Sequence, residues 1–345
     1  MSDVTVITDS AVVVPGDVLD GRLFVEASSL EEATGWVRKP EGLCRGDICV
    51  PVRDPERLER GNLIDLAGLA SALGRRSIVD IDARIAAISA DAMDRRGALE
   101  GLVAPAFTLP DLDGSPVSLG DSSGLKRVLV TFSSWCGCRY DLPGWQELAD
   151  ELVDHGITFL LVALDDDPEV VRPFTEGITL PVLLDRQHLL SELYAISNVP
   201  TVVWIDEGGV IARPNGLAFG TPTFSEFTGV DSTPHLEAIR RWAIDGILPI
   251  SKEDASGAIA DLSDDEVDAR LHFRVGAEAR QQDNESAAEH HLRRAGELTP
   301  FDFSVRRAAM PLLGEDPFGQ DFLDLYDEWQ SMGAPYHGLP VDTER

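Results

Sequence analysis

Two close cysteine pairs carry the chemistry in this sequence, Cys136-Gly137-Cys138 and Cys44-Arg-Gly-Asp-Ile-Cys49. The attacking form of cysteine is the thiolate, and free backbone N–H groups at the start of a helix hold a thiol in that form. Cys136 follows the apolar, β-branched run Val128 to Phe132 through Ser133-Ser134-Trp135 and precedes a predicted helix. Such a setting lowers a thiol from about 8.5 to somewhere between about 3.5 and 7.5. Cys136 is therefore the expected nucleophile at neutral pH. Cys138, two residues on, is close enough to attack a mixed disulfide on Cys136 and resolve it. The pair reads as a dithiol/disulfide couple.

A disulfide across one residue closes a smaller ring than one across two, and departures from preferred geometry store strain. That favours an oxidising, isomerase-like or thiol-peroxidase-like couple over a strong reductant. Gly137 is the residue best able to take the backbone angles required. Arg139 is a candidate cation for the thiolate. Asp165-Asp166-Asp167 ends a strand near the same edge and offers an acceptor for the Cys138 proton, although charge clusters in loops are usually solvated. For Cys44 and Cys49 two readings stay open: a second redox pair that relays electrons to Cys136/Cys138, or buried structural thiols or a local disulfide. Gaps of one and four residues, with no histidine nearby, do not fit the usual zinc knuckle. No metal and no cofactor is expected.

The elements that position these residues follow from periodicity. Between about 104 and 248 strands and helices alternate. Strands are expected over Val128 to Phe132, Ile157 to Leu164, Pro181 to Leu184, Thr201 to Ile205 and Val210 to Arg213. Helices are expected over Trp145 to Leu152, Pro168 to Glu176, Leu189 to Ala195 and His235 to Ile244. This order implies a mixed central sheet with flanking helices. Residues 1–100 read as an α+β module, with strands at Val4 to Ile7 and Ala11 to Val14 punctuated by Pro15-Gly16. Capping-box spacing falls at Ser29 to Glu32, and a helix over Leu63 to Leu73 is closed by Gly74. Residues 260–345 read as a helical module. Within it, Val275, Gly276, Ala279, Ala288, Leu292, Ala295 and Pro300 are spaced as in one tetratricopeptide-like hairpin. Phe318, Phe322, Leu325, Tyr326 and Trp329 form a helical packing face.

The chain has 345 residues and a net charge of −31, which argues for more than one domain and against nucleic-acid or membrane-surface binding. No secretory signal and no run of about 18 apolar residues is visible, so a cytoplasmic protein is expected.

The stretch 104–248 resembles the thioredoxin fold, and within it the redoxin group that includes TlpA- and ResA-like thiol oxidoreductases. The resemblance rests on Ala104-Pro-Ala-Phe-Thr-Leu-Pro-Asp-Leu-Asp-Gly114, the Trp135-Cys136 loop with Arg139 and Pro143, Val199-Pro200-Thr201, and Trp204-Ile-Asp-Glu-Gly-Gly209. The loop lacks one residue of the usual Trp-Cys-x-x-Cys. It is similar to the ResA-like group with Trp-Ala-x-x-Sec-Gly-Cys, in which selenocysteine stands where Cys136 stands here. This resemblance implies that Cys136 attacks, that Pro200 follows a cis peptide opposite the dithiol, and that Val199 offers its backbone to an extended substrate segment. Trp135 either shields Cys136 or fills the core edge.

The expected function is thiol-disulfide exchange with a protein or small-molecule substrate and a dithiol electron donor. Two alternatives are a peroxiredoxin-like thiol peroxidase, with Ser133-x-x-Cys136 but Leu129 where that family has proline, and an interaction scaffold whose C-terminal helices bind a protein partner.

Overall fold

The apolar run at 128–132 lies within the strand Lys126–Phe132, buried from Arg127 to Phe132 as expected of a strand covered on both faces. It is the centre of a five-stranded sheet in the order Val182–Leu184, Ile157–Ala163, Lys126–Phe132, Thr201–Ile205, Ile211–Gly216. The first three strands are parallel and the last two antiparallel. Phe159, Val128 and Trp204 lie side by side across it, so they share a face. On that face Trp145 of the helix Leu142–Glu151 meets Phe159 at 6.2 Å, and Trp242 of the helix Thr233–Asp245 stacks on Trp204 at 5.2 Å. This is the thioredoxin-like arrangement, entered through the hairpin Thr108–Pro110 and Pro116–Ser118. The structure, a computed structural model, describes residues 2–340.

The chain divides into two units. One comprises residues 93–261, 301–311 and 315–345, and the other residues 1–92, 262–300 and 312–314. The stretch 260–345, expected as one helical module, is thus shared between them. Its first part is a helical hairpin, Asp264–Gln281 and Glu285–Leu298. A Cβ on Gly276 would come within 2.7 Å of Leu292, so glycine lets the two helices close. The later helices Arg306–Leu312 and Gln320–Ser331 fall in or mostly in the unit of the five-stranded sheet.

The unit containing residues 1–92 holds a seven-stranded sheet in which only Ser2–Ile7 and Ile85–Ile88 pair in parallel. Three local expectations are corrected there. The strand Ala11–Leu19 runs through Pro15-Gly16 instead of stopping, because the bare Gly16 admits the Phe24 carbonyl and Val4, which a Cβ would meet at 2.3 and 2.6 Å. The expected helix over Leu63 to Leu73 is the strand Leu63–Asp65 followed by the helix Leu66–Ala72, since Asp65 accepts from the Gly68 N–H and caps it. Ser29 precedes the helix Leu30–Thr34 but its side chain makes no capping bond. Among the described residues no helix is long and apolar enough to cross a membrane.

Candidate active site

The strand Lys126–Phe132 delivers Ser133, Ser134 and Trp135 to the sheet's edge. Asp165, at the end of the next strand, holds them there, accepting from the Ser133 hydroxyl at 3.1 Å and the Ser134 N–H at 3.0 Å. Burial pushes the Asp165 carboxyl up to about 6, against the hydrogen bonds from Ser134 and Ser133 that hold it down. It accepts its hydrogen bonds from Ser133 and Ser134, so it shapes the loop. Trp135 is buried, and its indole N–H donates to the Leu164 carbonyl at 3.0 Å, which makes it a core-edge residue.

Cys136 is extended and caps a 3-10 turn, Gly137–Asp141; the α-helix begins only at Leu142, with Pro143 in its first turn. What reaches the Cys136 sulfur is therefore a single N–H, that of Cys138 at 3.3 Å, and not the end of a long helix. Both sulfurs are free and buried. Burial by itself raises the Cys136 thiol. It is outweighed by the Cys138 thiol hydrogen bond, the positive charge of Arg307 and the Cys138 N–H, so Cys136 titrates below an ordinary cysteine. Cys138 moves the other way: burial and the charge and hydrogen bond of Cys136 push it well above the usual range. The two thiols are unequal: Cys136 is the one that loses its proton more readily.

Gly137 does not have a positive φ. Its reason is packing: a Cβ there would meet the Phe224 ring at 2.9 Å. Arg139, expected to face the thiolate, is turned away. Its guanidinium donates to the Ser134 carbonyl and, at 3.1 Å, to the Tyr140 hydroxyl. The cation that acts on Cys136 is Arg307, which the sequence reading missed. Arg307 arrives on a segment tied to the loop before Pro200: the Phe303 N–H donates to the Ser197 carbonyl at 2.8 Å, and the Ser304 hydroxyl to Ile196 at 3.0 Å.

The Val199-Pro200 peptide is cis. Val199, expected to offer its backbone to a substrate, faces the dithiol. The Val199 N–H donates to Asn198 Oδ1 at 2.8 Å, and its carbonyl oxygen lies 3.5 Å from the Cys136 sulfur. Asp141 is the second residue the sequence reading passed over. It is 1% exposed, its carboxylate accepts from the Thr221 hydroxyl, and its charge acts on both thiols. Burial lifts it to about 6, opposed by the Thr221 hydrogen bonds. Thr221 reaches it because Gly144 and Gly220 cross with no room for a side chain; a Cβ on Gly144 would lie 2.3 Å from the Gly220 carbonyl.

In the other unit, Cys44 and Cys49 form a disulfide between the paired strands Gly42–Arg45 and Ile48–Val50, joined by a turn at Gly46 with φ +57°. Cys44 is buried and Cys49 exposed. With these sulfurs bonded to each other, a four-cysteine zinc site lacks half its ligands.

Residues 101–213 match the AhpC/TSA family. The chain is 31% identical over 143 residues to the thiol-disulfide oxidoreductase ResA of Geobacillus thermodenitrificans, covering 41% of this chain and 78% of that protein. It is 34% identical over 137 residues to the thioredoxin-like protein YneN of Bacillus subtilis, covering 38% and 77%. A solved thioredoxin domain of a thiol-disulfide oxidoreductase from Bacteroides vulgatus is 28% identical, over 34% of this chain and 88% of that one, with a TM-score of 0.32. With an edge dithiol on this sheet and a ResA protein matched over most of its length, the chain belongs to the ResA-like thiol-disulfide oxidoreductases.

Proposed function

We propose that the chain exchanges thiols and disulfides through Cys136 as nucleophile and Cys138 as resolving thiol. The observation that carries this is the inequality of the two sulfurs: Cys136 accepts the Cys138 N–H and feels Arg307, which lower it, whereas burial and Cys136 push Cys138 up so that it holds its proton. The Cys136 thiolate attacks a substrate disulfide, one sulfur leaves as a thiolate, and a mixed disulfide remains on Cys136. Cys138 then gives its proton to the Asp141 carboxylate and attacks the Cys136 sulfur, releasing the second substrate thiol. The Cys136–Cys138 disulfide carries the two electrons' worth of oxidation until a dithiol donor reduces it.

The test is Cys138→Ser, which leaves Cys136 reactive and accumulates mixed disulfides, set beside Cys136→Ser, which forms none. Equal loss of Cys136-type alkylation in both variants at pH 7 would remove these roles. Reaction of the reduced chain with hydrogen peroxide faster than with any disulfide would favour the peroxidase reading. The one-residue loop makes the couple more oxidising than a variant with proline inserted to give Cys-Gly-Pro-Cys, measurable against glutathione; an unchanged potential would remove the ring-size argument.

A further inference from the structure

The dithiol opens into a cavity of about 460 Å³, within the range of small-molecule sites. Cys136, Cys138 and Val199 form its floor. Phe224, Phe227, Phe303, Phe322, Tyr326 and Trp329 supply its aromatic walls, with Phe227 stacked on Tyr326 at 5.1 Å. In a chain of net charge −31, no aspartate or glutamate among the described residues lines it, and the one charged lining residue among them is Arg307.

Arg307 is 7% exposed. Its Nε and Nη2 donate to the Pro317 carbonyl at 3.1 and 3.0 Å, and its Cζ lies 3.5 Å from the Phe322 ring centroid. Among the described residues no carboxylate forms an ion pair with it. A buried guanidinium is costly unless a negative charge answers it. The groups that most favour its charge here, against burial, are the two thiols Cys136 and Cys138. When Cys136 attacks, its charge passes to the leaving sulfur, which must remain near Arg307 to be stabilised.

These walls fit flat apolar groups, which stack on aromatic rings. They fit an extended peptide less well, because the Val199 N–H is held by Asn198 Oδ1 and most of the lining is apolar rings. We propose that this cavity selects compact aromatic disulfides, neutral or anionic, over cationic disulfides and over disulfides within proteins. The proposal rests on the Cys136/Cys138 chemistry proposed above. The Cys136 thiolate attacks one sulfur of the aryl disulfide and ejects one arenethiolate, whose charge Arg307 meets. Cys138, deprotonated by Asp141, attacks the Cys136 sulfur and ejects the second. Two arenethiolates and the Cys136–Cys138 disulfide result, and a separate dithiol reductant restores the enzyme.

The experiment mixes the reduced full chain with bis(4-carboxyphenyl) disulfide, 2,2′-dithiodiethanol, cystamine and insulin. Each rate is divided by that of glutathione with the same compound, to remove intrinsic reactivity. The aromatic disulfide should exceed dithiodiethanol by about tenfold after this correction, with cystamine and insulin below both. The ratio of aromatic to dithiodiethanol rates should fall in Phe322→Leu and in Trp329→Phe. As a measurement on the unsubstituted chain, 2-naphthoate, which has no sulfur, should slow alkylation of Cys136 by iodoacetamide. Equal corrected rates, insulin as the fastest substrate, or no protection by naphthoate would each overturn the substrate class while leaving the dithiol roles intact. Failure to react with any disulfide would overturn the dithiol roles themselves.

Discussion

The Cys136 sulfur lies 3.5 Å from the carbonyl oxygen of Val199, on the residue before the cis proline. Across this short gap the nucleophile faces a carbonyl whose own peptide, running into proline, has no N–H, while the Val199 N–H is held by Asn198 Oδ1.

Replacing Arg307 by methionine removes the cation that lowers the Cys136 thiol. The pH profile of iodoacetamide alkylation should move to higher pH, and the rate at pH 7 should fall several-fold. Arg139→Met should leave the profile in place, since Arg139 is occupied by the Ser134 carbonyl. A shift in the second variant and none in the first would reverse the assignment.

Asp141 titrates at about 6 in the fold against an ordinary value of 3.8. If it accepts the Cys138 proton, resolution of a mixed disulfide slows as pH falls through about 6, and Asp141→Asn slows it at all pH values and flattens the profile. The stability effect has the opposite sense. The folded chain retains a proton that the unfolded chain releases, so the contribution is present at low pH and lost as pH rises from about 4 to about 6. Asp141→Asn should therefore be more stable than the parent at pH 7 by about 1–2 kcal/mol, discounted for partial solvation. Equilibrium urea unfolding measures it.

A methyl group at position 137 has nowhere to go except against the Phe224 ring. Gly137→Ala should cost about 1–3 kcal/mol as an overpacking change and, by pushing Phe224 into the cavity, slow reaction with bulky disulfides more than with small ones. Thermal unfolding with paired rate measurements checks both.

His272 and His291 share a hydrogen bond of 2.7 Å, and His291 faces Asp80 at 3.1 Å. Burial first, then the neighbouring charges, lowers His272 to about 4. The unfolded chain takes up this proton near 6.5 and the fold only near 4, so stability drains as pH falls through that window. After discounting for exposure, the loss is about 1 kcal/mol at pH 5, and His272→Gln should abolish it. Asp141 and Asp165 act oppositely over much of the same range, so the comparison must be between variants and not between pH values of one protein.

Cys44→Ser/Cys49→Ser opens a short cross-strand loop and should lower stability by about 2 kcal/mol. Reaction of Cys136 with a small disulfide should not change. Slower turnover with a protein substrate in this variant would support the electron relay, and unchanged turnover would remove it.

The dithiol, the cis proline and the strand order were legible because each is written in a short stretch. The run 128–132 is apolar and β-branched, and Val199-Pro200 precedes another such run. Asp141 stood in plain view three residues beyond Cys138, yet its burial depends on Thr221 and on the Gly144–Gly220 crossing, both set by tertiary packing. Arg307 gave no local signal at all, because an arginine beside Arg306 in a helical stretch is ordinarily solvated. The spacing of the aromatic residues on the last helix predicts a packing face. Phe303, Met310, Phe322, Leu325 and Trp329 do form one cluster, and periodicity could not show that the same rings border the thiols. In the amino-terminal unit the apolar spacing of 63–73 merged a strand with a helix, because Leu63 and Ile64 fit either period and only the Asp65 cap marks the border.

The dependence of Cys136 on Arg307 also has a temporal side. A ribosome releases the central sheet, the cysteines and the proline loop well before residue 307, so the sheet can assemble while the thiol still lacks its cation and the cavity its far wall. During synthesis Cys136 is then a poorer nucleophile in a wider cleft. The cation and much of the aromatic wall of the cavity both come from the segment between Phe303 and Trp329, so they come late in chain order.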